Sequence, residues 1–387
     1  MRKRGNYVSS TVKCVAMILA GGAGTRLGAL TREESKPAVS FGGSNRIIDY
    51  TLSNCIHSGI KHVGVLTQYK PETLHSHLQN SEPKGLTIQC LPSTDSSYEG
   101  TADAIGKNID YIQQHDPTHV LILSGDHIYQ MNYQELIDFH RQKDADMTVA
   151  SIQVSKSEAS RFGILSVDQN GAVTEFEEKP THPKSQIASM GIYLFNWSFL
   201  KKCLLADANN PTSSHDFGKD ILPTMLATHS RLFAYNYDQY WRDVGTIQTY
   251  WETQMDLNRS KSPFKYSQHE WPLFTSYPAA FVPISIQTVS ESKKRKISES
   301  VISPSAYISD GAAIYQSIIL PGSSVGKNVY LHKVIVAENT HIPDNLSFAS
   351  NDEVMLITQA VVHRYLSKTK SNDTEHSATN QLLKKIK

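Results

Sequence analysis

The apolar run Val15-Ala16-Met17-Ile18-Leu19 passes without interruption into Ala20-Gly21-Gly22-Ala23-Gly24-Thr25-Arg26, and this junction constrains the chain more than any other stretch. Five apolar residues ending in glycines read as a short buried strand that stops at a turn. Gly21, Gly22 and Gly24 allow positive φ and close approach to an anion, so successive N–H groups can converge on phosphate oxygens. Arg26 adds a planar cationic fork to that turn. Ten residues further on stands Lys36-Pro37-Ala38, so the pattern is neither a Walker loop nor G-x-G-x-x-G.

The first two thirds of the chain alternates apolar runs with amphipathic stretches, the pattern of strands joined by crossover helices in a mixed, mainly parallel sheet. The expected strands are Ala16 to Leu19, His62 to Leu66, Thr87 to Cys90, His119 to Leu123, Met147 to Val154, Val173 to Glu177 and Ile192 to Phe195. Helices are expected over Arg46 to Ser58 and Thr101 to Gln114. Ligands of such sheets bind beyond the carboxyl ends of the strands, which predicts that the glycine turn and Asp126 share one cleft.

From Ile302 the pattern changes to a six-residue beat of Ile302, Ile308, Ile314 and Leu320, then Val325 and Leu331 after a one-residue slip, with Ile342 less regular. Small and turn-forming residues between them predict a parallel β-helix of hexapeptide repeats. The domain reading is a tail at 1–13, a catalytic α/β domain at 14–260, a linker at 261–300, the β-helix at 301–365 and a disordered tail at 366–387.

With a formal net charge of +1, the chain has no basic field that would argue for nucleic acid. Its apolar segments fall short of the roughly 20 residues that a membrane helix needs. Cys14, Cys55, Cys90 and Cys203 have neither disulfide-like pairing nor a C-x-x-C, which suits reduced thiols in a cytoplasm.

Further motifs join the glycine turn: SKPAVSFGG, RIIDYTLSNC at 46–55, YEGTADA at 98–104, SGDHIY at 124–129, EEKP at 177–180, ASMGIY at 188–193, SSHDFGKD at 213–220 and YWRDVGT at 240–246. Together they resemble the sugar-nucleotide pyrophosphorylases, most closely the bacterial glucose-1-phosphate adenylyltransferases, over nearly the whole chain. The resemblance implies a Rossmann-like nucleotidyltransferase domain followed by a left-handed parallel β-helix. It implies ATP and glucose 1-phosphate as substrates, Mg²⁺ as cofactor, ADP-glucose for glycogen or another α-glucan as product, and a homotetramer or a mixed tetramer with a paralogous subunit.

In that reaction the sugar phosphate is itself the nucleophile, so the protein must align two repelling anions and neutralise the leaving pyrophosphate. Asp126 ends an apolar strand, where no core role favours a carboxylate, and the resemblance makes it the essential metal-binding aspartate with Asp243 as the second. His127 is expected as a hydrogen-bonding neighbour, since nitrogen suits zinc better than magnesium.

The resemblance also assigns Arg26 and Lys36 to the triphosphate and, with Asp126, to catalysis. It places Gly21, Gly22, Gly24, Thr25, Gln68, Gly100 and Thr101 at the nucleotide. Lys179 is implied to hold the sugar phosphate, Glu178 to accept from sugar hydroxyls, and Tyr98, Gly163 and Ser189 to contact the glucosyl group or ADP-glucose. Asp216 and Lys219 are read as wall residues of the sugar pocket.

The chain also departs from the pattern. Ala23 and the acidic Arg32-Glu33-Glu34 stand where many relatives carry basic residues associated with anionic effectors; the loop Leu91 to Ser97 is short, and the β-helix lacks a coil. A UTP- or dTTP-using enzyme and a regulatory subunit with little turnover remain alternatives.

Overall fold

The computed structural model describes residues 12–80, 85–93, 97–258, 262, 271, 273 and 295–368. Most of the expected linker, most of both outer tails and part of the Leu91 to Ser97 loop lie outside the described residues; residues 366–368, expected in a disordered tail, are helical.

The glycine-terminated run forms strand β1, Cys14–Leu19, at the centre of a mixed sheet. It pairs in parallel with β2, His62–Thr67, which pairs with β3, Thr87–Pro92, and on its other side with β4, His119–Ser124. Strand β5, His127–Tyr129, continues just beyond β4. The sheet is completed by β6, Met147–Gln153, β7, Gly163–Val167, β8, Val173–Glu178, β9, Ile187–Asn196, and β10, Leu232–Tyr237. Strand β9 runs antiparallel to β4, β6 and β7, so it turns the parallel half into the antiparallel half. The short β11, Trp241–Asp243, pairs with β5 and sets Asp243 opposite His127.

Helix α1, Ile47–His57, fills the expected segment. The helix expected over Thr101 to Gln114 is divided into α2, Thr101–Gly106, and a second piece, Ile109–Gln113. Asn108 lies at the break with non-helical angles, and its side chain turns back to Ala104 O and the Tyr98 hydroxyl. That local hydrogen bonding competes with helix continuation.

The second domain is a parallel β-helix whose first three-residue strand is Lys296–Ser298, ahead of Ile302. Corresponding residues of successive coils lie 17 apart, as in the pairing of Val301 with Ile318 and of Ile318 with Ile335, until the last pairing, of Val334 with Met355, widens to 21. Its interior is lined by Ile308, Ile314, Ile319, Val325, Leu331, Val336, Ile342 and Phe348, with Ile302 partly buried against them. One step in three therefore has five residues rather than six, and the slip falls at Ile319. Leu320 belongs instead to the cluster between the two domains. Left-handed corners recur at Gly311, Asn328 and Asn345 and at Gly322 and Asn339, residue types that tolerate positive φ. Residues 359–368 close the described chain as a helix.

The domains share one apolar cluster. Val301, Ile318 and Ile335 pack with Leu27, Phe41, Tyr50, Val244 and Tyr250 of the α/β domain. Helix α3, Ile247–Asn258, lies along the joint. Gln248 accepts from Val354 N, the Trp251 indole donates to Gln316 O, and Asn258 donates to Ser300 O.

The same joint contains an acidic pair. Arg46 donates to Glu34 at 2.9 Å, while Ser40 donates to Glu338 at 2.5 Å from across the interface. Burial pushes the Glu34 carboxyl up to about 7, with Arg46 opposing and Glu338 reinforcing the rise. The folded chain thus holds this proton more tightly than the unfolded chain, and the contribution of Glu34 to stability falls as pH rises from about 4.5 to about 7. Glu34→Gln should therefore change Tm more favourably, relative to wild type, at about pH 8 than at about pH 5. An identical change at both pH values would remove Glu34 from this role.

Candidate active site

A cleft of about 550 Å³ opens at the carboxyl ends of β1, β2 and β4, with Leu19, Leu66 and Ser124 on its floor. One side is built by Gly21, Gly22, Gly24, Thr25, Arg26, Lys36 and Pro37, and the other by Gln68, Tyr98, Gly100, Thr101 and Ala104. Asp126, Asp216 and Gly245 complete the lining. The expected meeting of the glycine turn with Asp126 is therefore present.

Gly24 has φ 60°, and a Cβ there would lie 2.8 Å from Lys36 Cβ. The turn and the lysine are packed together, so glycine is required on both conformational and steric grounds. On the opposite wall the Gln68 side-chain oxygen accepts from Tyr98 N at 2.7 Å, which fixes the side chain in the lining of the cleft. The Tyr98 hydroxyl donates to Leu91 O and accepts from Asn108, so this ring is fixed in the same wall as Gln68 and Gly100.

Lys36 lies almost fully buried at the centre of the site. Its ammonium stands 2.6 Å from Asp126 Oδ2 and 3.0 Å from Asp243 Oδ1. Burial alone would lower its pKa, but the two carboxylates outweigh burial and raise it. Burial likewise pushes Asp126 up; Lys36 first, then His127 and the hydrogen bonds from Lys36 and Ser124, override it and hold the carboxyl well below its usual range. The sequence reading gave Lys36 to the triphosphate. In this structure the lysine neutralises the two aspartates, which would otherwise repel each other.

Asp126, His127 and Asp243 can present ligand atoms that all lie within 4.8 Å of one another. His127 Nε2 is 3.5 Å from Asp126 and 4.0 Å from Asp243. Two carboxylates already arranged around one cation fit a hard divalent ion that keeps several waters. Arg26 is exposed at the mouth, with Gly245 alongside: a Cβ on Gly245 would lie 3.0 Å from Arg26 Nη2.

Gly163, Glu178, Lys179 and Ser189 flank the cleft rather than line it. Gly163 pairs with Glu178 across β7 and β8, and a Cβ there would meet the Phe176 ring at 2.5 Å. Lys179 leaves β8 with φ 45°, and its exposed ammonium stands 3.1 Å from Glu178 Oε1. Ser189 is 8% exposed and accepts from Gly191 N at the bulge in β9, where Gly191 approaches the His127 ring. Asp216 carries the connection to the cleft: its carboxylate caps Gly218 N, and a Cβ on Gly218 would lie 2.8 Å from Glu178 Oε2. Sequence reasoning named Asp216 as a wall residue and missed its place in the cleft; an aspartate capping a short helical turn beside a second glycine was the available signal.

Gly100 is enclosed by the segment that carries Asp216. A Cβ on it would stand 2.2 Å from His215 O and 2.5 Å from Ser214 O, both backbone atoms. Gly100→Ala should therefore destabilise the fold by about 1–3 kcal/mol, as overpacking does. An unchanged urea midpoint would show that the two segments do not meet.

A family model described as nucleotidyl transferase matches residues 15–260, and one described as GlmU-like, C-terminal hexapeptide, matches residues 285–354. A glucose-1-phosphate adenylyltransferase of Bacillus cytotoxicus is 43% identical over 372 residues, covering 90% of this chain and 98% of that protein. Proteins of the same name from Bacillus thuringiensis and Bacillus anthracis are each 42% identical over 370 residues, again covering 90% of this chain and 98% of theirs. With the glycine turn, the paired aspartates and the β-helix all in place, the chain belongs to the glucose-1-phosphate adenylyltransferases of the nucleotidyl transferase family.

Proposed function

We propose that this chain makes ADP-glucose and pyrophosphate from ATP and glucose 1-phosphate, for synthesis of glycogen or another α-glucan. The observation that carries the reading is the Lys36–Asp126–Asp243 centre at the strand ends beside the glycine turn. An oxygen of the sugar phosphate forms the new bond to the α-phosphorus of ATP as the bond to the leaving pyrophosphate breaks. The nucleophile is already anionic near neutral pH, so the protein's task is alignment and charge neutralisation.

The N–H groups at Gly21 to Thr25, with Arg26 at the mouth, receive the triphosphate. Asp126 and Asp243 would hold Mg²⁺, which when bound supplies positive charge at the phosphoryl oxygens. Lys36 would then exchange part of its contact with the aspartates for the departing phosphates, an exchange that reconciles its observed partners with the role the resemblance implies. Gln68 and the Gly100–Thr101 backbone face the base. Lys179 and Glu178 take the sugar phosphate and the sugar hydroxyls, with Gly163 and Ser189 alongside. We also propose a cytoplasmic enzyme that assembles as a homotetramer or with a paralogous subunit. Among the described residues, no helix is long and apolar enough to cross a membrane.

Pyrophosphate release by the purified chain, with glucose 1-phosphate and Mg²⁺, should be faster with ATP than with UTP or dTTP. Preference for either of the others would change the product, and no release from folded protein would favour a regulatory subunit. Asp126→Asn should retain the fold and lose at least roughly 100-fold to 1000-fold in turnover, the scale of one preorganised electrostatic contact. Wild-type-like turnover would sink the metal assignment. Lys179→Gln should chiefly raise the KM for glucose 1-phosphate, and an unchanged KM would remove this residue from the sugar site.

A further inference from the structure

The segment Ser213 to Asp220 is the one motif whose chemistry the sequence left open, and the structure sets it between the two halves of the site. Helix α4, Trp197–Ala208, supplies its anchor. Asp207 accepts from Ser213 Oγ at 2.6 Å and stands 2.8 Å from His215 Nδ1, which ties the segment to the helix end. His215 O then accepts from Ala102 N and Asp103 N at the start of α2.

Asp216 follows directly. Its Oδ2 accepts from Thr101 Oγ1 at 2.9 Å, and the same hydroxyl oxygen accepts from Phe217 N at 3.0 Å. Its Oδ1 accepts from Gly218 N at 2.9 Å and Lys219 N at 3.1 Å. One carboxylate thus grips the nucleotide wall with one oxygen, and with the other it caps the turn that packs on Glu178.

We infer that Thr101 and Asp216 form a positioning pair that couples the nucleotide half of the site to the sugar-phosphate half, so that occupation of one strengthens occupation of the other. The inference rests on the proposed reading of the two halves. Its physical basis is rigidity: the hydroxyl and the carboxylate satisfy each other and three backbone donors, Phe217 N, Gly218 N and Lys219 N, so Gly100–Thr101 and Glu178 keep a fixed separation. Alignment of two reacting phosphates depends on such a separation, and about 1 Å of misplacement costs roughly 100-fold in rate.

The coupling can be read by calorimetry on the full chain with Mg²⁺, titrating glucose 1-phosphate with and without the α,β-methylene analogue of ATP, whose α–β link cannot be broken in this reaction. Wild type should bind the sugar phosphate about 5-fold to 150-fold more tightly in the presence of the analogue, the usual range of coupling between sites. Thr101→Val, which keeps the shape and loses the hydroxyl, should bring that ratio to near one, and Thr101→Ser should restore it. The comparison is a ratio within each variant, so a general loss of stability or of affinity for either ligand does not imitate it. Asp216→Asn offers a second route to the same loss should Thr101→Val fold poorly. A ratio in Thr101→Val equal to that of wild type overturns the coupling and leaves the functional reading intact. No binding of glucose 1-phosphate by folded wild type even with the analogue present overturns the functional reading and the coupling together.

Discussion

The site depends on one buried ammonium. Lys36 brings together two carboxylates from segments about 90 and 207 residues away in the chain, and neither Asp126 nor Asp243 could be held so close to the other without it. A buried ion cluster of this kind is a poor source of stability, because desolvation of three charges offsets most of their attraction. Its retention is explained by what it makes ready: two carboxylates held together beside Lys36 and Arg26, where a divalent ion and phosphates would meet under the proposed function. Removing the lysine would leave two buried anions unbalanced, whereas removing one aspartate would leave the remaining pair neutral.

Much of this was legible in the sequence because the signals were local. A strand that stops in glycines, an aspartate at the end of another apolar run, and a hexapeptide beat each depend on a few adjacent residues. What escaped was of longer range. The partner of Lys36 is a tertiary fact, and the charge of a lysine suits a phosphate or a carboxylate equally well. The break at Asn108 turned on a side chain folding back on its own helix, which amphipathic spacing does not reveal. The slip at Ile319 was hidden because Ile319 and Leu320 are both apolar, and only the stacking of coils separates the residue that faces inward from the one that faces the neighbouring domain.

The two halves of the site are also unequal in how they are built. The half proposed for the nucleotide rests on glycines and backbone N–H groups at the ends of parallel strands, a frame with few rotatable parts. The half proposed for the sugar uses side chains from the antiparallel strands, among them the exposed Lys179, which pairs with its neighbour Glu178. Under the proposed function, selectivity would have different physical sources on the two sides: preformed geometry for the triphosphate, adjustable hydrogen bonding for the sugar.

The cluster shared by the two domains reaches further than architecture. Leu27 adjoins Arg26, Val39 lies three residues from Lys36, Ile128 two from Asp126, and Val244 adjoins Asp243, and all four apolar residues belong to that cluster. Each charged group of the centre is thus borne on a short arm whose other end is set in the packing against the coils. The β-helix acts as the bedplate under these four charges, so a cavity opened at Val301, Ile318 or Ile335 would loosen the packing behind all four side chains at once.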